Sequence, residues 1–247
     1  MSFFKKDSRK KKAFEERKTF LLTEETPFDI REGFRNFKAS LSVSMPKKAN
    51  DEGVAILITS SCPREGKTTL AVNLAVTYAI SNAKVVIIDA DIRKGRVARY
   101  FSEKSKKGLS DCLSGQATLE EVTHVSKTNE KLSYITCGAH SPRPYELLES
   151  EEMKKLLSKL KTEYDYVIID TPPLLVVSDA LAIVNDVDGV VVACRYQISL
   201  VSDIAKTLNT LTFANANVLG TVVNDYKYPE RNKGSYGGRY YYYKSYE

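Results

Sequence analysis

A chain of 247 residues, 43% of them hydrophobic, is long enough for one sizeable α/β core with tails beyond it. Its formal charge of +6 is concentrated at one end: residues 1–18 hold eight Lys and Arg against three Asp and Glu, so the body is nearly neutral and does not read as a nucleic-acid-coating surface. No apolar run approaches the roughly 18 residues of a membrane span, no signal peptide is visible, and Cys62, Cys112, Cys137 and Cys194 lack the paired spacing of a disulfide frame or zinc site, which suits reduced thiols in a cytosol.

Residues 1–26 read as a basic arm, either a solvated terminus or a contact for anionic headgroups. Pro27 opens a predicted helix over 28–41. Ile30, Phe34, Phe37 and Leu41 share one face of it, and Glu32, Arg35 and Lys38 share another. Two readings stand for this helix: a cover for the core with a solvated charged face, or a surface that pairs with a neighbouring subunit. A linker over 46–53 follows. Apolar strands are predicted at 54–59, 84–89, 132–136, 166–170, 189–194 and 218–223. Between them fall helices at 70–80, within 108–122, at 145–161, from 178 or 179 to 187, and at 200–213. That alternation predicts a mostly parallel central sheet with right-handed crossovers and helices on both faces. Residues 225–247 contain no aliphatic side chain and eight of the fifteen tyrosines, so they are read as a disordered tail.

The chemistry gathers where strands end. Strand 54–59 leads through Ser60-Ser61-Cys62-Pro63-Arg64-Glu65 into Gly66-Lys67-Thr68-Thr69 and a helix, the strand–turn–helix context of a P-loop. Backbone N–H groups there would hold phosphate, Lys67 would reach the β- and γ-phosphates, and Thr68 would hold Mg²⁺. The glycine usual five residues before Gly66 is Ser61, so the strict motif is not met. Asp89, Asp91 and Asp170 follow two other apolar strands. Carboxylates for Mg²⁺, a lysine for phosphate and a group to position a hydroxyl are the parts that phosphoryl transfer from ATP requires. Asn224 stands at the end of the last strand.

Ser60-Ser61-Cys62-Pro63-Arg64-Glu65-Gly66-Lys67-Thr68, Asp89-x-Asp91-x-Arg93, Asp170-Thr171-Pro172-Pro173 with Ser178-Asp179-Ala180, the Pro144-x-Glu146-Leu147-Leu148 stretch and the tyrosine cluster together resemble the bacterial tyrosine kinases of capsule and exopolysaccharide synthesis. The resemblance covers roughly residues 28–247, and that family's loop also lacks the first glycine. It implies a P-loop NTPase-type three-layer α/β kinase domain over 27–224, with 27–45 as an oligomerisation helix. It implies that Pro63, Arg64, Glu65, Gly66, Lys67, Thr68 and Thr69 line the ATP phosphates, that Thr68, Asp91 and Asp170 organise Mg²⁺, that Asp89 orients or accepts the tyrosine proton, that Arg93 steadies the acidic loop, and that Asn224 contacts adenine, a position that reads equally as a plain turn residue. The implied acceptors are Tyr236, Tyr240, Tyr241, Tyr242, Tyr243 and Tyr246, presented by a neighbouring copy. The implied partner is a transmembrane activator of the polysaccharide co-polymerase kind, which would hold a cytoplasmic kinase at the inner face of the membrane.

Two positions depart from the family pattern: Arg64 stands where it has glycine, and Lys38 where its helix has a second arginine. Three other readings compete with the kinase reading. A partitioning-type ATPase of the same fold carries a signature lysine four residues before Gly66, and here that position is Cys62. A non-catalytic nucleotide-dependent adaptor follows if Arg64 blocks turnover. A nucleic-acid binder would use the arm and the Gly-Arg-Tyr tail.

Overall fold

The computed structural model describes residues 20–45, 52–102 and 107–226. The arm before residue 20, residues 46–51 of the linker and all tail tyrosines after Tyr226 lie outside the described residues.

In chain order the elements are α1 (Phe28–Ser44), β1 (Val54–Ser60), α2 (Lys67–Ile80), β2 (Val85–Asp89), α3 (Val97–Tyr100), α4 (Leu109–Leu113), α5 (Leu119–Val122), β3 (Thr123–Val125), β4 (Leu132–Ile135), α6 (Pro144–Glu149), α7 (Glu151–Glu163), β5 (Tyr166–Asp170), a 3₁₀ turn (Asp179–Ala182), β6 (Gly189–Arg195), α8 (Val201–Phe213) and β7 (Val218–Asn224). The strands form one sheet in the order β3-β4-β2-β5-β1-β6-β7. Every pair is parallel except β3 with β4.

Successive side chains of a strand point to opposite faces, and a parallel sheet hides both. β1 shows this directly. Ala55 and Leu57 join a core with Leu109, Leu148, Met153, Leu160 and Leu211 from α4, α6, α7 and α8. Ile56 and Ile58 join a second core with Leu70, Leu74 and Tyr78 of α2 and Leu41 of α1. The three-layer architecture therefore follows from apolar strands with no polar face to leave in water.

Three local predictions need correction. The single helix expected over 145–161 is two, because Ser150 sits in extended backbone and restarts the helix: its hydroxyl donates to the Leu147 carbonyl at 2.7 Å and accepts the Met153 N–H at 3.3 Å. The helix expected from 178 or 179 to 187 is only the one 3₁₀ turn. Two carboxylates bracket it: Asp179 is held by Arg93, and Asp188 accepts the Ala55 N–H at 2.7 Å and Lys161 Nζ at 3.2 Å, which turns the chain into β6. The antiparallel edge strand β3 was not expected. Three residues give too short an alternation to read.

α1 begins after Pro27 and lays Phe34, Phe37 and Leu41 on the second core, whereas Ile30, expected on the same face, is exposed in the first turn of the helix. Arg35 pairs with Glu32 at 2.5 Å, and Lys38 Nζ lies 5.6 Å from the centroid of the Tyr78 ring. Residues 20–22, read as part of the arm, are tied down by the buried Asn73 of α2. Its side chain accepts the Leu22 N–H at 2.7 Å and donates to the carbonyls of Phe20 and Thr69, both at 2.8 Å.

Candidate active site

The register of the sheet brings the acids into line. Asp89 at the end of β2 lies directly beside Asp170 at the end of β5, and Asp170 lies beside Ile58 of β1. The loop that leaves β1 therefore opens beside both carboxylates, at the C-terminal edge where α/β sheets bind ligands.

The loop reaches its shape by an unusual set of contacts. Ser61 is buried, and its hydroxyl accepts from Thr207 of α8 at 2.9 Å. Arg64 takes the left-handed region, at φ 72°. Glu65 is buried under the loop; its carboxylate accepts the Cys62 N–H at 2.7 Å and the Ser199 hydroxyl. Gly66, at φ 88°, caps α2, and a Cβ there would come within 2.7 Å of the Asn224 amide nitrogen. Glycine thus lets Asn224 close on the loop and donate to the Glu65 carbonyl at 2.8 Å. Four turns of helix behind the loop aim free N–H groups and a positive dipole end toward it.

At the start of α2, Lys67 Nζ lies 3.3 Å from Asp91 Oδ2, 3.4 Å from Asp170 Oδ1 and 3.5 Å from Thr68 Oγ1. Burial alone would lower its ammonium pKa, but the charges of Asp170, Asp91 and Asp89 outweigh that and hold it above the ordinary value. Asp89 is fully buried. Its Oδ2 accepts the Val97 N–H at 2.9 Å, while its Oδ1 has no hydrogen-bond partner. Burial and the neighbouring Asp170 charge push its carboxyl up to about 8. Burial also pushes Asp170 up, against the pull of Lys67 and Thr68, and its Oδ2 is a second buried oxygen without a partner.

A buried acceptor left unpaired costs about 1–3 kcal/mol, more if charged, so these two oxygens suit a cation or a donor group. Carboxylate and hydroxyl oxygens are the donors of a hard divalent ion. Among the described residues no group of three or more His, Cys, Asp or Glu forms a ready cage. Mg²⁺ binds through one or two carboxylates and completes its shell with phosphate and water. Thr68, Asp91 and Asp170 fit such an ion.

Lys67, Thr68, Asp89, Asp91 and Asp170 are thus brought together. Pro63 and Arg64 form the exposed crest of the loop. The Thr69 hydroxyl is shared with Tyr100 at 2.7 Å. Arg93 makes a two-pronged bond to buried Asp179, at 2.6 and 3.0 Å, so it fastens the Asp91 turn to the segment after β5. Ser199, Thr207 and Gly95 escaped the sequence reading. Gly95 packs so close that a Cβ would lie 2.7 Å from Asp89 Oδ2 and 2.4 Å from Cys137 Sγ. No spacing signals the two hydroxyls; they meet the loop only once α8 and the turn after β6 are folded against it.

Sheet order, loop and acids define a P-loop nucleotide-binding protein of three-layer α/β type. The AAA domain family matches residues 64–219. The tyrosine-protein kinase YwqD of Bacillus subtilis strain 168 is 38% identical over 185 residues, which are 74% of this chain and 77% of YwqD. The chain belongs to the bacterial tyrosine-protein kinase family. The EpsB protein of Ralstonia nicotianae is 32% identical over 222 residues, 90% of this chain but 29% of EpsB, so the chain spans less than a third of such longer relatives. Among solved structures, the kinase domain of Escherichia coli tyrosine kinase ETK superposes with a TM-score of 0.76 at 31% identity, covering 84% of this chain and 80% of that one. The septum site-determining protein MinD of Pyrococcus horikoshii, complexed with Mg-ADP, superposes with a TM-score of 0.61 at 24% identity over 73% of each chain, a likeness of fold. No helix among the described residues is long and apolar enough to cross a membrane.

Proposed function

We propose that the chain transfers the γ-phosphoryl group of ATP to tyrosine, including the tyrosines of its own C-terminal stretch. The observation that carries the reading is the convergence of Lys67 Nζ on Asp91 and Asp170 beside the unpartnered Oδ1 of Asp89, at the mouth of the loop. Loop amides and Lys67 bind the phosphates and orient the terminal phosphorus. When bound at Thr68, Asp91 and Asp170, Mg²⁺ neutralises phosphate charge. Asp89 Oδ1 accepts the phenolic proton as the tyrosine Oη bonds to the γ-phosphorus and the bond to the β–γ bridging oxygen breaks, releasing ADP. The Val97 N–H holds Asp89 Oδ2 for that transfer, and the absence of a side chain at Gly95 leaves the carboxylate room.

The acceptors in this reading are Tyr236, Tyr240 to Tyr243 and Tyr246, delivered by a second copy. The biological output is control of capsule or exopolysaccharide synthesis, through a transmembrane partner that keeps the kinase at the cytoplasmic face. The family membership and the tyrosine-rich stretch support these steps. The test is incubation with Mg-ATP, with and without a candidate activator tail, followed by mass-spectrometric mapping of phosphotyrosine. Wild type should gain phosphotyrosine after residue 226, and Lys67→Met and Asp89→Asn should lose on the order of a hundredfold or more in rate. No phosphotyrosine under any condition would overturn the reading. Phosphate release without phosphotyrosine would replace it with an ATPase.

A further inference from the structure

The phosphate loop is also fastened from the side away from the acids. β6 and β7 pair so that Arg195 lies beside Asn224, and both side chains reach the loop. Asn224 donates to the Glu65 carbonyl at 2.8 Å, and Arg195 Nη1 donates to the Arg64 carbonyl at 3.3 Å. The same guanidinium gives its Nε and Nη2 to Asp225 Oδ2, at 3.2 and 2.8 Å. The Arg195 backbone N–H donates to Ser199 Oγ at 2.7 Å, and that hydroxyl donates to Glu65. One residue on, the Tyr196 N–H donates to the Asn224 carbonyl at 3.0 Å, and its ring meets Tyr226 edge-on with centroids 4.8 Å apart.

Two of the joined residues take left-handed backbone without being glycine: Arg64 at φ 72° and Asp225 at φ 56°. Such conformations persist where surrounding contacts over-determine them. Here one guanidinium spans both, with its fork divided between a carbonyl and a carboxylate. An ammonium has no fixed fork to bridge two acceptors in this way.

We propose that Arg195 and Asp225 are positioning residues for the nucleotide. They hold the Arg64 turn so that the loop amides converge on phosphate, and they make the segment leaving β7, the root of the tyrosine-rich stretch, a determinant of ATP affinity. The proposal rests on reading the loop as an ATP site. By reciprocity, bound nucleotide tightens the root of the stretch as much as the root tightens the nucleotide.

The test uses the full chain with Asp225→Ala, Asp225→Glu and Arg195→Lys, and two readouts. In the first, Mg-ADP Kd and KM for ATP rise about fivefold in Asp225→Ala, while kcat stays within twofold. Asp225→Glu restores most of the affinity. Arg195→Lys matches the alanine variant, and combining it with Asp225→Ala adds little, because both break one clamp. In the second, hydrogen exchange of the Cys62 to Gly66 amides in nucleotide-free protein speeds up about fivefold in Asp225→Ala. Wild-type exchange and wild-type Kd in Asp225→Ala would overturn the proposal. If the unaltered chain takes no Mg-ADP, the nucleotide reading fails alone, and the exchange rates still decide the clamp.

Discussion

Arg64 occupies backbone space that costs a residue with a side chain roughly 1–2 kcal/mol. In the sequence the position stands out only as a departure from the loop pattern of the kinases it resembles. The φ of 72° gives the departure a physical meaning: the loop turns left-handed there, a conformation glycine adopts freely. Arg64→Gly should raise the unfolding free energy by about 0.5–1 kcal/mol, since relief of strain is partly offset by the greater freedom of glycine in the unfolded chain. The urea midpoint, at unchanged slope, measures it. At this scale legibility followed chemistry. Lys67, Thr68, Asp89, Asp91 and Asp170 were readable because each stands in a fixed place after an apolar strand. Ser199, Thr207 and Asn73 were not, because a buried hydroxyl or amide matters through its partner, and the partners are Glu65, Ser61 and the backbone at Phe20 and Leu22.

Among the elements, the strands were legible and the helix lengths less so. A run such as Tyr166 to Asp170 declares itself by burial on both faces and a terminal acid. A helix can be cut by one side chain, as Ser150 cuts α6 from α7, and periodicity on either side does not reveal the cut. α2 carries the phosphate loop at its start and a second duty in its middle. Asn73 supplies three hydrogen bonds that hold residues 20–22 and the first turn of the helix itself. Asn73→Ala leaves the Leu22 N–H unpaired in a buried setting, so stability should fall by about 2 kcal/mol. Limited proteolysis should then cut within residues 20–27 while the rest of the domain stays protected, a pattern that general core damage would not give.

For the whole molecule, a ligand that binds only the folded chain adds RT ln(1 + [L]/Kd), about 2.7 kcal/mol at a hundredfold excess over Kd. For a domain of this size that is a rise in Tm of about 5 °C with Mg-ADP, read by thermal unfolding. Lys67→Met should abolish the rise. The sheet order has a further consequence, in time rather than space. β1 is the first strand made, yet its two neighbours are β5 and β6: Val54 pairs with Tyr166, and Ile56 with Gly189. About a hundred and ten residues must be synthesised before the first partner exists, on the order of five to twenty seconds of translation. Through that interval the stretch Val-Ala-Ile-Leu-Ile is an apolar strand with both edges open. Closing so long a loop is slow, and the nascent phosphate loop is held by nothing until it closes. The strand that carries the phosphate loop at the centre of the finished sheet is therefore the one that waits longest for its neighbours while the chain is being made.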